Sequence, residues 1–361
     1  MTVREAILGL SVAGSAWVLV GYPACLAAMP ARPPRRSESL PTVSVIVPAY
    51  REREGLRRKL AALRELDYPN DRLEVLVPVD EDEGLVRIAE EAYPCASVLF
   101  TTDRGGKALA INRALAVARG DVIVMTDANN VLDAASIRSA VRHLADPTVW
   151  AVAGRRGERE SAYDRYEDLI RRLEARSGSV AAASGEFMAV LRDRFPRFPE
   201  GIVNDDFWLL CQLVRAGGRV MYEPGAVSIE EPLAPRAEHA RRSRMGAGRV
   251  MLAAELRGLP PAFVFRVLSH KYARLALPFM LLATLTSSLS LARRPPYAAL
   301  AAIQSGIYAL GGLALAGRAP AGRSGRVAKA SAQLMLGNAS IAIGVLRALR
   351  GGQSVRWDPV E

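Results

Sequence analysis

A glycine turn flanked by basic residues is the first chemical feature of the sequence. It reads Arg104-Gly105-Gly106-Lys107 and leads into Lys107–Ala118, whose apolar residues have helical spacing. Glycines permit a close approach to the backbone, and the N-terminus of a helix favours a negative charge. The spacing is not that of a P-loop. The turn therefore predicts anion binding, with a simple glycine turn at a helix start as the alternative.

An acidic pair begins another predicted helix. Asn204-Asp205-Asp206 precedes the amphipathic run Phe207–Ala216. The helix dipole favours aspartate in a first turn, so capping alone accounts for one member of the pair. The other member is available to take a proton from a hydroxyl group during a displacement reaction.

Strands alternate with helices along the region that must position these residues. Short β-branched runs predict strands, and apolar residues at helical spacing predict helices. The strands are Val43–Pro48, Leu73–Val79, Ser97–Phe100 and Asp121–Met125, and the helices are Glu54–Leu66, Leu85–Ala92 and Lys107–Ala118. The alternation predicts an α/β fold with a mostly parallel, Rossmann-like sheet and helices on both faces. Ligands bind such sheets at the C-terminal strand edges, where Tyr50–Glu54, Asp80 and Asp127–Asn130 fall.

Four uncharged apolar runs frame this region. Residues Ile7–Met29 are long enough to cross a membrane as a helix and end at Pro30 and a basic cluster, which favours an anchor over a cleaved signal peptide. Three further runs, which are either membrane helices or buried core helices, are Leu275–Ala292, Pro295–Gly317 and Ala330–Leu346. We expect an anchor (1–30), a basic linker (31–42), a catalytic domain (43–258), an interfacial helix (259–274), a membrane bundle (275–349) and a tail (350–361).

Charge and cysteine content exclude other classes of function. The net charge is +11, but the basic clusters are not interleaved with aromatic residues, so we expect no nucleic-acid partner. The three cysteines, Cys25, Cys95 and Cys211, lack metal-ligand spacing, and we expect them to be reduced. The basic residues Arg32–Arg36 follow the first apolar run. They predict a multi-pass protein of the plasma membrane with its catalytic domain in the cytosol.

Six short motifs give the chain a resemblance to the family-2 glycosyltransferases of the GT-A fold, within the membrane-bound group that includes cellulose, hyaluronan and poly-N-acetylglucosamine synthases. They are Val-Ser-Val-Ile-Val-Pro-Ala-Tyr-Arg-Glu (43–52), Arg-Gly-Gly-Lys-Ala-Leu-Ala-Ile-Asn (104–112), Thr-Asp-Ala-Asn (126–129), Ser-Gly-Glu-Phe (184–187), Asn-Asp-Asp (204–206) and Arg-Arg-Ser-Arg (241–244). The resemblance runs from about residue 43 to about residue 278. It implies a GT-A domain that binds a nucleotide-sugar donor.

The resemblance assigns the donor side to the first half of this domain. Asp80, or its neighbour Asp82, matches an aspartate that binds the base. Asp127 and Asn129 match an Asp-x-Asp pair, so the resemblance implies a divalent cofactor, Mg²⁺ or Mn²⁺, held by these two residues. Asn129 departs from that pattern, and Asn129→Asp is expected to leave activity unchanged or to tighten metal binding. The residues assigned to donor binding are Pro48, Ala49, Tyr50, Glu52, Asp80, Arg104, Lys107 and Asp127.

The acceptor side falls in the second half. Asp206 matches the family's general base, which takes the proton of the acceptor hydroxyl. Arg244 matches the arginine of Gln-x-x-Arg-Trp, whereas Arg241 and Met245 replace the glutamine and tryptophan, and this weakens the case for a long-chain polymerase. The residues assigned to the acceptor or the diphosphate are Ser184, Gly185, Glu186, Asp205, Arg242 and Arg244.

The function implied by the resemblance is inverting transfer of a hexose or N-acetylhexosamine from a UDP-sugar to a glycan or lipid-linked acceptor. Synthesis of exopolysaccharide or of the cell envelope is the implied context. One alternative is a single-sugar transferase that makes a glycolipid or a polyprenyl-phosphate sugar. Another is a non-catalytic membrane protein that binds nucleotide-sugars, which the asparagine at position 129 would allow.

Overall fold

The computed structural model describes residues 2–157, 162–202, 204–230 and 235–350. Its centre is one eight-stranded sheet in the order β3-β2-β1-β4-β7-β6-β8-β5. The strands are β1 Val43–Ile46, β2 Leu73–Asp80, β3 Ser97–Thr101, β4 Val122–Met125, β5 Asn130–Leu132, β6 Val149–Gly157, β7 Met188–Leu191 and β8 Arg219–Glu230.

The half of the sheet formed by β3, β2, β1 and β4 is parallel, as the alternation of strands and helices predicts. The other half is mixed, because β7 pairs antiparallel with both β4 and β6, and β5 pairs antiparallel with β8. Every residue of β1 and β4 is buried, which explains why their residues are apolar apart from Ser44. The α/β fold is confirmed, and its sheet is mixed where a mostly parallel one was predicted.

Helices cover both faces of the sheet and position the polar loops at its edge. In chain order, the helices up to residue 251 are α1 Val3–Ala16 and α2 Tyr22–Ala28, which precede the sheet, and α3 Arg53–Leu63, α4 Glu83–Ala92, α5 Gly106–Val117, α6 Ser136–Val141, α7 Ala162–Ser177, α8 Asp205–Arg215 and α9 Pro235–Met251. The predicted apolar stripe of α3 is buried in the core at Leu56, Leu60 and Leu63. Among the cysteines, Cys211 is buried in the same core and Cys95 is exposed.

Four helices are long and apolar enough to cross a membrane: Val3–Ala28, Pro261–Ser290, Pro295–Leu315 and Gly322–Leu349. The first joins α1 to α2 through the π-helical turn Trp17–Gly21. The second joins α10 (Pro261–Val267) to α11 (Ala273–Ser290) in the same way, so the predicted interfacial segment continues into the bundle without a break. The other two are α12 and α13.

The last helix begins earlier than its apolar run suggests. The apolar run predicts a helix from Ala330, whereas α13 begins at Gly322 and contains Arg323, Arg326 and Lys329. Basic side chains are compatible with helical backbone, so charge alone does not mark the end of the connection.

A buried polar cluster ties the first membrane helix to the catalytic domain. The Tyr22 hydroxyl donates to Glu174 Oε1 at 2.5 Å, and His270 Nδ1 lies 2.8 Å from the same oxygen. Arg266 donates to the backbone carbonyl of Glu174 at 2.7 Å. These contacts join α2, α7 and the helix that enters the bundle after residue 261, and they give His270 a buried structural position.

Candidate active site

The turn after β1, the end of β2 and the start of α5 form one pocket. Its lining residues are Pro48, Ala49, Tyr50, Asp80, Arg104, Gly106, Lys107 and Ala110. Six of the eight residues predicted to bind the donor are among them. The parallel strands β1 and β2 lie side by side, so the loops at their C-terminal ends meet at one edge of the sheet.

Tyr50 lies between two guanidinium groups. The Arg104 guanidinium carbon is 4.6 Å from the centre of the tyrosine ring, and that of Arg51 is 5.0 Å away. Cation–π attraction holds both arginines beside the ring. The pocket therefore combines an aromatic wall with positive charge, which suits a planar base linked to phosphates.

Asp80 holds the glycine turn in place. Its Oδ2 accepts hydrogen bonds from the backbone N–H groups of Gly105 and Gly106, both at 3.1 Å, and its Oδ1 accepts from the Arg113 side chain. Gly106 has a φ of 76°, a conformation that glycine adopts at little cost. The alternative match, Asp82, caps α4 through the Gly84 N–H and pairs with Arg53 at 2.9 Å. Of the two aspartates, only Asp80 lines the pocket.

Lys107 joins the predicted donor side to the predicted acceptor side. Its Nζ lies 2.8 Å from Asp127 Oδ1 and 3.0 Å from Asp205 Oδ2, so α5, the end of β4 and the start of α8 meet at one ammonium group. Burial by itself favours the neutral amine, but the two carboxylates outweigh it and raise the pKa of Lys107. The lysine therefore remains charged and available to a phosphate.

Glu52 is buried close to the same charges. Burial, together with the nearby Asp127 carboxylate, raises the pKa of Glu52 to about 7. A nearby positive charge would lower that pKa again. The observation places Glu52 and Asp127 in one electrostatic environment, although Glu52 does not line the pocket described above.

The oxygen atoms of Asp127 and Asn129 suit a hard divalent cation. The Asp127 side chain is 31% exposed, and the Asn129 Nδ2 donates to Glu230 Oε1 at 2.9 Å. That bond leaves Asn129 Oδ1 buried and without a hydrogen-bond partner among the described residues. A carboxylate and an amide oxygen are ligands that Mg²⁺ and Mn²⁺ prefer, so these residues fit the predicted metal. Within the described part of the chain, no cluster of three or more His, Cys, Asp or Glu residues forms a ready-made metal site.

Asp206 faces a second pocket on the other side of Lys107. The residues that line it are Ala182, Ala183, Asn204, Asp206, Phe207, Met245 and Lys271. Gly185 lies between the two sides, because a Cβ atom at this position would be 3.4 Å from Lys107 Nζ and 3.9 Å from Asp206 Cβ. Lys271 belongs to the candidate membrane span Pro261–Ser290.

Glu186 follows the loop that carries Ser184 and Gly185, two residues predicted to line the acceptor side. Ser184 Oγ accepts its backbone N–H at 3.4 Å, and its carbonyl accepts the Thr126 hydroxyl at 2.7 Å. Burial raises the pKa of Glu186 to about 7, against the opposing effect of Arg156. The loop that carries Ser184 and Gly185 is therefore fixed to the end of β4.

The basic motif of α9 contains Arg241, Arg242 and Arg244. Arg241 NH1 is 2.8 Å from Glu230 Oε2 and 3.8 Å from Glu186 Oε1. Burial and the nearby charge of Arg241 lower the pKa of Arg244, whereas the charges of Asp127 and Asp205 oppose this effect. The side chain of Arg242 lies outside the described residues.

A family model described as glycosyltransferase-like family 2 matches residues 41–249, more than half of the chain. The chain belongs to this glycosyltransferase family. The match begins two residues before β1 and ends within α9, so it contains every residue that the sequence predicted for the site.

A solved relative in this comparison covers nearly the whole chain. The mannosyltransferase PcManGT from Pyrobaculum calidifontis, solved with GDP-Man and Mn²⁺, is 27% identical with a TM-score of 0.77, and the match covers 97% of this chain and 100% of that one. It extends the likeness from the GT-A domain to the membrane helices.

Curated relatives are similar over shorter stretches. A probable glycosyltransferase, YdaM, of Bacillus subtilis (strain 168) is 26% identical over 58% of this chain and 56% of its own length. An N-acetylglucosaminyltransferase of Rhizobium meliloti (strain 1021) is 26% identical over 68% of this chain and 65% of its own length. A beta-monoglucosyldiacylglycerol synthase of Synechocystis is 30% identical over 48% of this chain and 40% of its own length. The chain thus spans less than two thirds of the length of each of these three relatives.

Three residues of this glycosyltransferase domain were missed by the sequence predictions. Lys59, on the inner face of α3, donates to Thr126 Oγ1 and Asn130 Oδ1, both at 2.6 Å. Glu230 and Arg156 form an ion pair at the ends of β8 and β6. A lysine amid the apolar stripe Leu56, Leu60 and Leu63 is a signal for a buried cation, whereas Glu230 and Arg156 follow no motif.

Proposed function

We propose that the chain transfers a sugar from a nucleotide-sugar donor to an acceptor that is held at the membrane. The observation that carries this proposal is the pocket shared by Asp206 and Lys271. Asp206 begins α8 of the glycosyltransferase domain, whereas Lys271 belongs to a helix long and apolar enough to span a membrane. An acceptor that enters along this helix reaches Asp206 directly.

The donor binds on the other side of Lys107. Tyr50 and the backbone of the first turn contact the nucleoside, and Arg104, Lys107 and the N-terminus of α5 face the diphosphate. Asp127 and Asn129 would hold a divalent cation, which would offset negative charge on the departing nucleoside diphosphate. Asp206 takes the proton of the acceptor hydroxyl as the new bond forms at the anomeric carbon, and this direct displacement inverts its configuration.

We infer a UDP-hexose or UDP-N-acetylhexosamine as donor and a glycan or lipid-linked acceptor. The GDP-Man bound to the Pyrobaculum relative makes GDP-sugars the second class to examine. The N-acetylglucosaminyltransferase and the glycolipid synthase among the relatives support both an amino-sugar donor and a lipid acceptor. Transfer of single sugars becomes the preferred alternative if products carry one added residue, in keeping with Met245 in the place of the family's tryptophan.

Donor screening with purified membranes tests the reaction, and Asp206→Asn tests the base. The amide keeps the shape of Asp206 but does not accept a proton at neutral pH, so we expect transfer to fall by about 100-fold or more while donor binding is kept. Asp205→Asn is the matched control. Because Asp205 contacts Lys107, its variant is expected to change the KM for the donor more than kcat. Full activity in Asp206→Asn would reject Asp206 as the base.

A further inference from the structure

Glu230 determines which way the Asn129 side chain faces. We propose that Glu230 is a positioning residue that turns the Asn129 amide oxygen toward the cation, so that the two residues together replace a second carboxylate of the metal motif. This inference rests on the proposed use of a divalent cation by the donor site. It concerns a neutral ligand oriented by a charged neighbour, which the sequence motif does not reveal.

The chemistry of the pair fixes the orientation of the amide. An ionised carboxylate only accepts hydrogen bonds, so the group 2.9 Å from Glu230 Oε1 must be the Asn129 NH₂. The choice between the amide nitrogen and oxygen is thereby settled by the partner. Asn129 Oδ1 then points away from Glu230, and it is a buried acceptor without a hydrogen-bond partner among the described residues. A buried acceptor of this kind is stabilised by a cation.

Glu230 is itself held on its other side. Its Oε2 accepts from Arg156 and from Arg241, the latter at 2.8 Å, and only 4% of the residue is exposed. Glu186 lies 3.4 Å from the Arg156 guanidinium and completes a set of two carboxylates and two guanidiniums. Both guanidiniums contact Oε2, which leaves Glu230 Oε1 to accept from Asn129. Partners that orient a metal ligand in this way commonly change metal affinity by 10–100-fold when removed.

An aspartate at position 129 would place a second carboxylate at the distance now occupied by the amide. Two carboxylates about 3 Å apart repel each other strongly. The proposed pairing therefore predicts the opposite of the sequence-based expectation for Asn129→Asp, which was unchanged activity or tighter metal binding. With Glu230 intact, the variant is expected to bind metal less well. Changing Glu230 to glutamine at the same time supplies an NH₂ donor to the new carboxylate at position 129 and removes the repulsion.

Mn²⁺ binding to the purified full chain in neutral detergent tests the pair. The EPR signal of free Mn²⁺ reports binding with Mn²⁺ alone and with saturating UDP or GDP. We expect Asn129→Ala, Asn129→Asp and Glu230→Gln each to weaken Mn²⁺ binding by about 10-fold or more. We expect the double variant Asn129→Asp/Glu230→Gln to return to within about 3-fold of the wild type. Glu223→Gln is the matched control, because Glu223 lies on the same strand and pairs with His143 at 2.6 Å.

The outcomes separate this inference from the proposed function. Tighter binding by Asn129→Asp alone, a double variant no better than Asn129→Asp, or a wild type that binds no Mn²⁺ would each overturn the pairing. Melting temperatures without metal provide a second readout. We expect Asn129→Asp to lower the melting temperature and the double variant Asn129→Asp/Glu230→Gln to restore it. An unchanged melting temperature for Asn129→Asp would also overturn the pairing. Absence of sugar transfer with the expected Mn²⁺ pattern would reject the proposed function and leave the pairing intact.

Discussion

Lys59 is the residue whose chemistry is least expected from its place in the fold. Its ammonium group is fully buried beneath the loop that carries Asp127 and Asn129, and it donates to Thr126 and Asn130 on either side of that loop. Thr126 in turn donates to the Glu186 carbonyl. Lys59 therefore connects the loop that carries Asp127 and Asn129 to the loop that carries Ser184 and Gly185.

The stability of the protein should depend on pH through Lys59. Burial lowers the pKa of Lys59 from 10.5 to about 7, against the attraction of Asp127 and Glu186. The unfolded chain then binds more protons at this group between about pH 7 and pH 10, so Lys59 gives a contribution to stability that rises with pH in this window. Below pH 7 the cost of burying the charge is complete.

Lys59→Met removes that pH dependence. We expect the melting temperature of the wild type to rise relative to that of Lys59→Met as the pH increases from 7 to 10 in neutral detergent. The variant also removes two buried hydrogen bonds, and each buried acceptor that is left unpaired costs about 1–3 kcal/mol. Lys329→Met replaces an exposed lysine and serves as the control. A constant difference in melting temperature between wild type and Lys59→Met would contradict the assignment.

At the scale of residues, the sequence indicates best those side chains that act through their own type. Lys107, Asp127 and Asp205 carry charge beside predicted strand ends and helix starts, and they meet in the fold. Lys59 and Glu230 act through partners about 70 to 100 positions away, at Asn130 and Asn129. Pairing over such separations is a product of tertiary packing, which local patterns do not encode.

At the scale of elements, the contact between α9 and α13 joins the helix that carries Arg241 and Arg244 to the last apolar helix. A Cβ atom at Gly344 would lie 2.3 Å from the Ser243 carbonyl oxygen, so the two helices touch through the glycine backbone. Ser243 is one residue from Arg244 and two from Arg241. Small residues at helix crossings allow such an approach in membranes.

Gly344→Val should disturb the site from a distance. The added side chain cannot fit against a backbone carbonyl, so α13 must shift, at a cost of about 1–3 kcal/mol. We expect a lower melting temperature and reduced sugar transfer, although residue 344 lines neither pocket. Gly306→Val, on α12, is the control, because nothing lies within 4 Å of a Cβ there. Equal activity in the two variants would show that α9 does not depend on this contact.

Strand periodicity was sufficient for the parallel half of the sheet but not for the mixed half. Strands β1 to β4 are short apolar runs separated by helices, and this pattern predicts their parallel pairing. Strand β7 enters the sheet between β4 and β6, and β5 has only the three residues Asn130–Leu132. Their pairing depends on contacts across the fold, such as Val122 with Leu191, and no local pattern marks it.

At the scale of the whole molecule, polar contacts fix the two ends of the first membrane helix. At one end Glu5 pairs with Arg294, in the connection between α11 and α12. At the other end the Arg32 N–H donates to the Arg176 carbonyl of the glycosyltransferase domain at 2.7 Å. The 26 residues of Val3–Ala28 span about 39 Å as a helix, enough to cross the roughly 30 Å core of a bilayer. We therefore expect the Glu5–Arg294 pair and the glycosyltransferase domain to lie on opposite sides of the membrane.

The basic residues after the first span predict which side is which. Arg32, Arg35 and Arg36 should remain in the cytosol, where nucleotide-sugars are made, and the glycosyltransferase domain follows them.

Exposed Cys95 reports on this domain once Cys25 and Cys211 are replaced by alanine. We expect an impermeant maleimide to label Cys95 only after the membrane is opened. Ala292→Cys, exposed beside the Glu5–Arg294 pair in a chain without native cysteines, should react in intact cells. Labelling of both positions after solubilisation is the control for reactivity. Labelling of Cys95 in intact cells would place the domain outside and exclude a cytosolic donor.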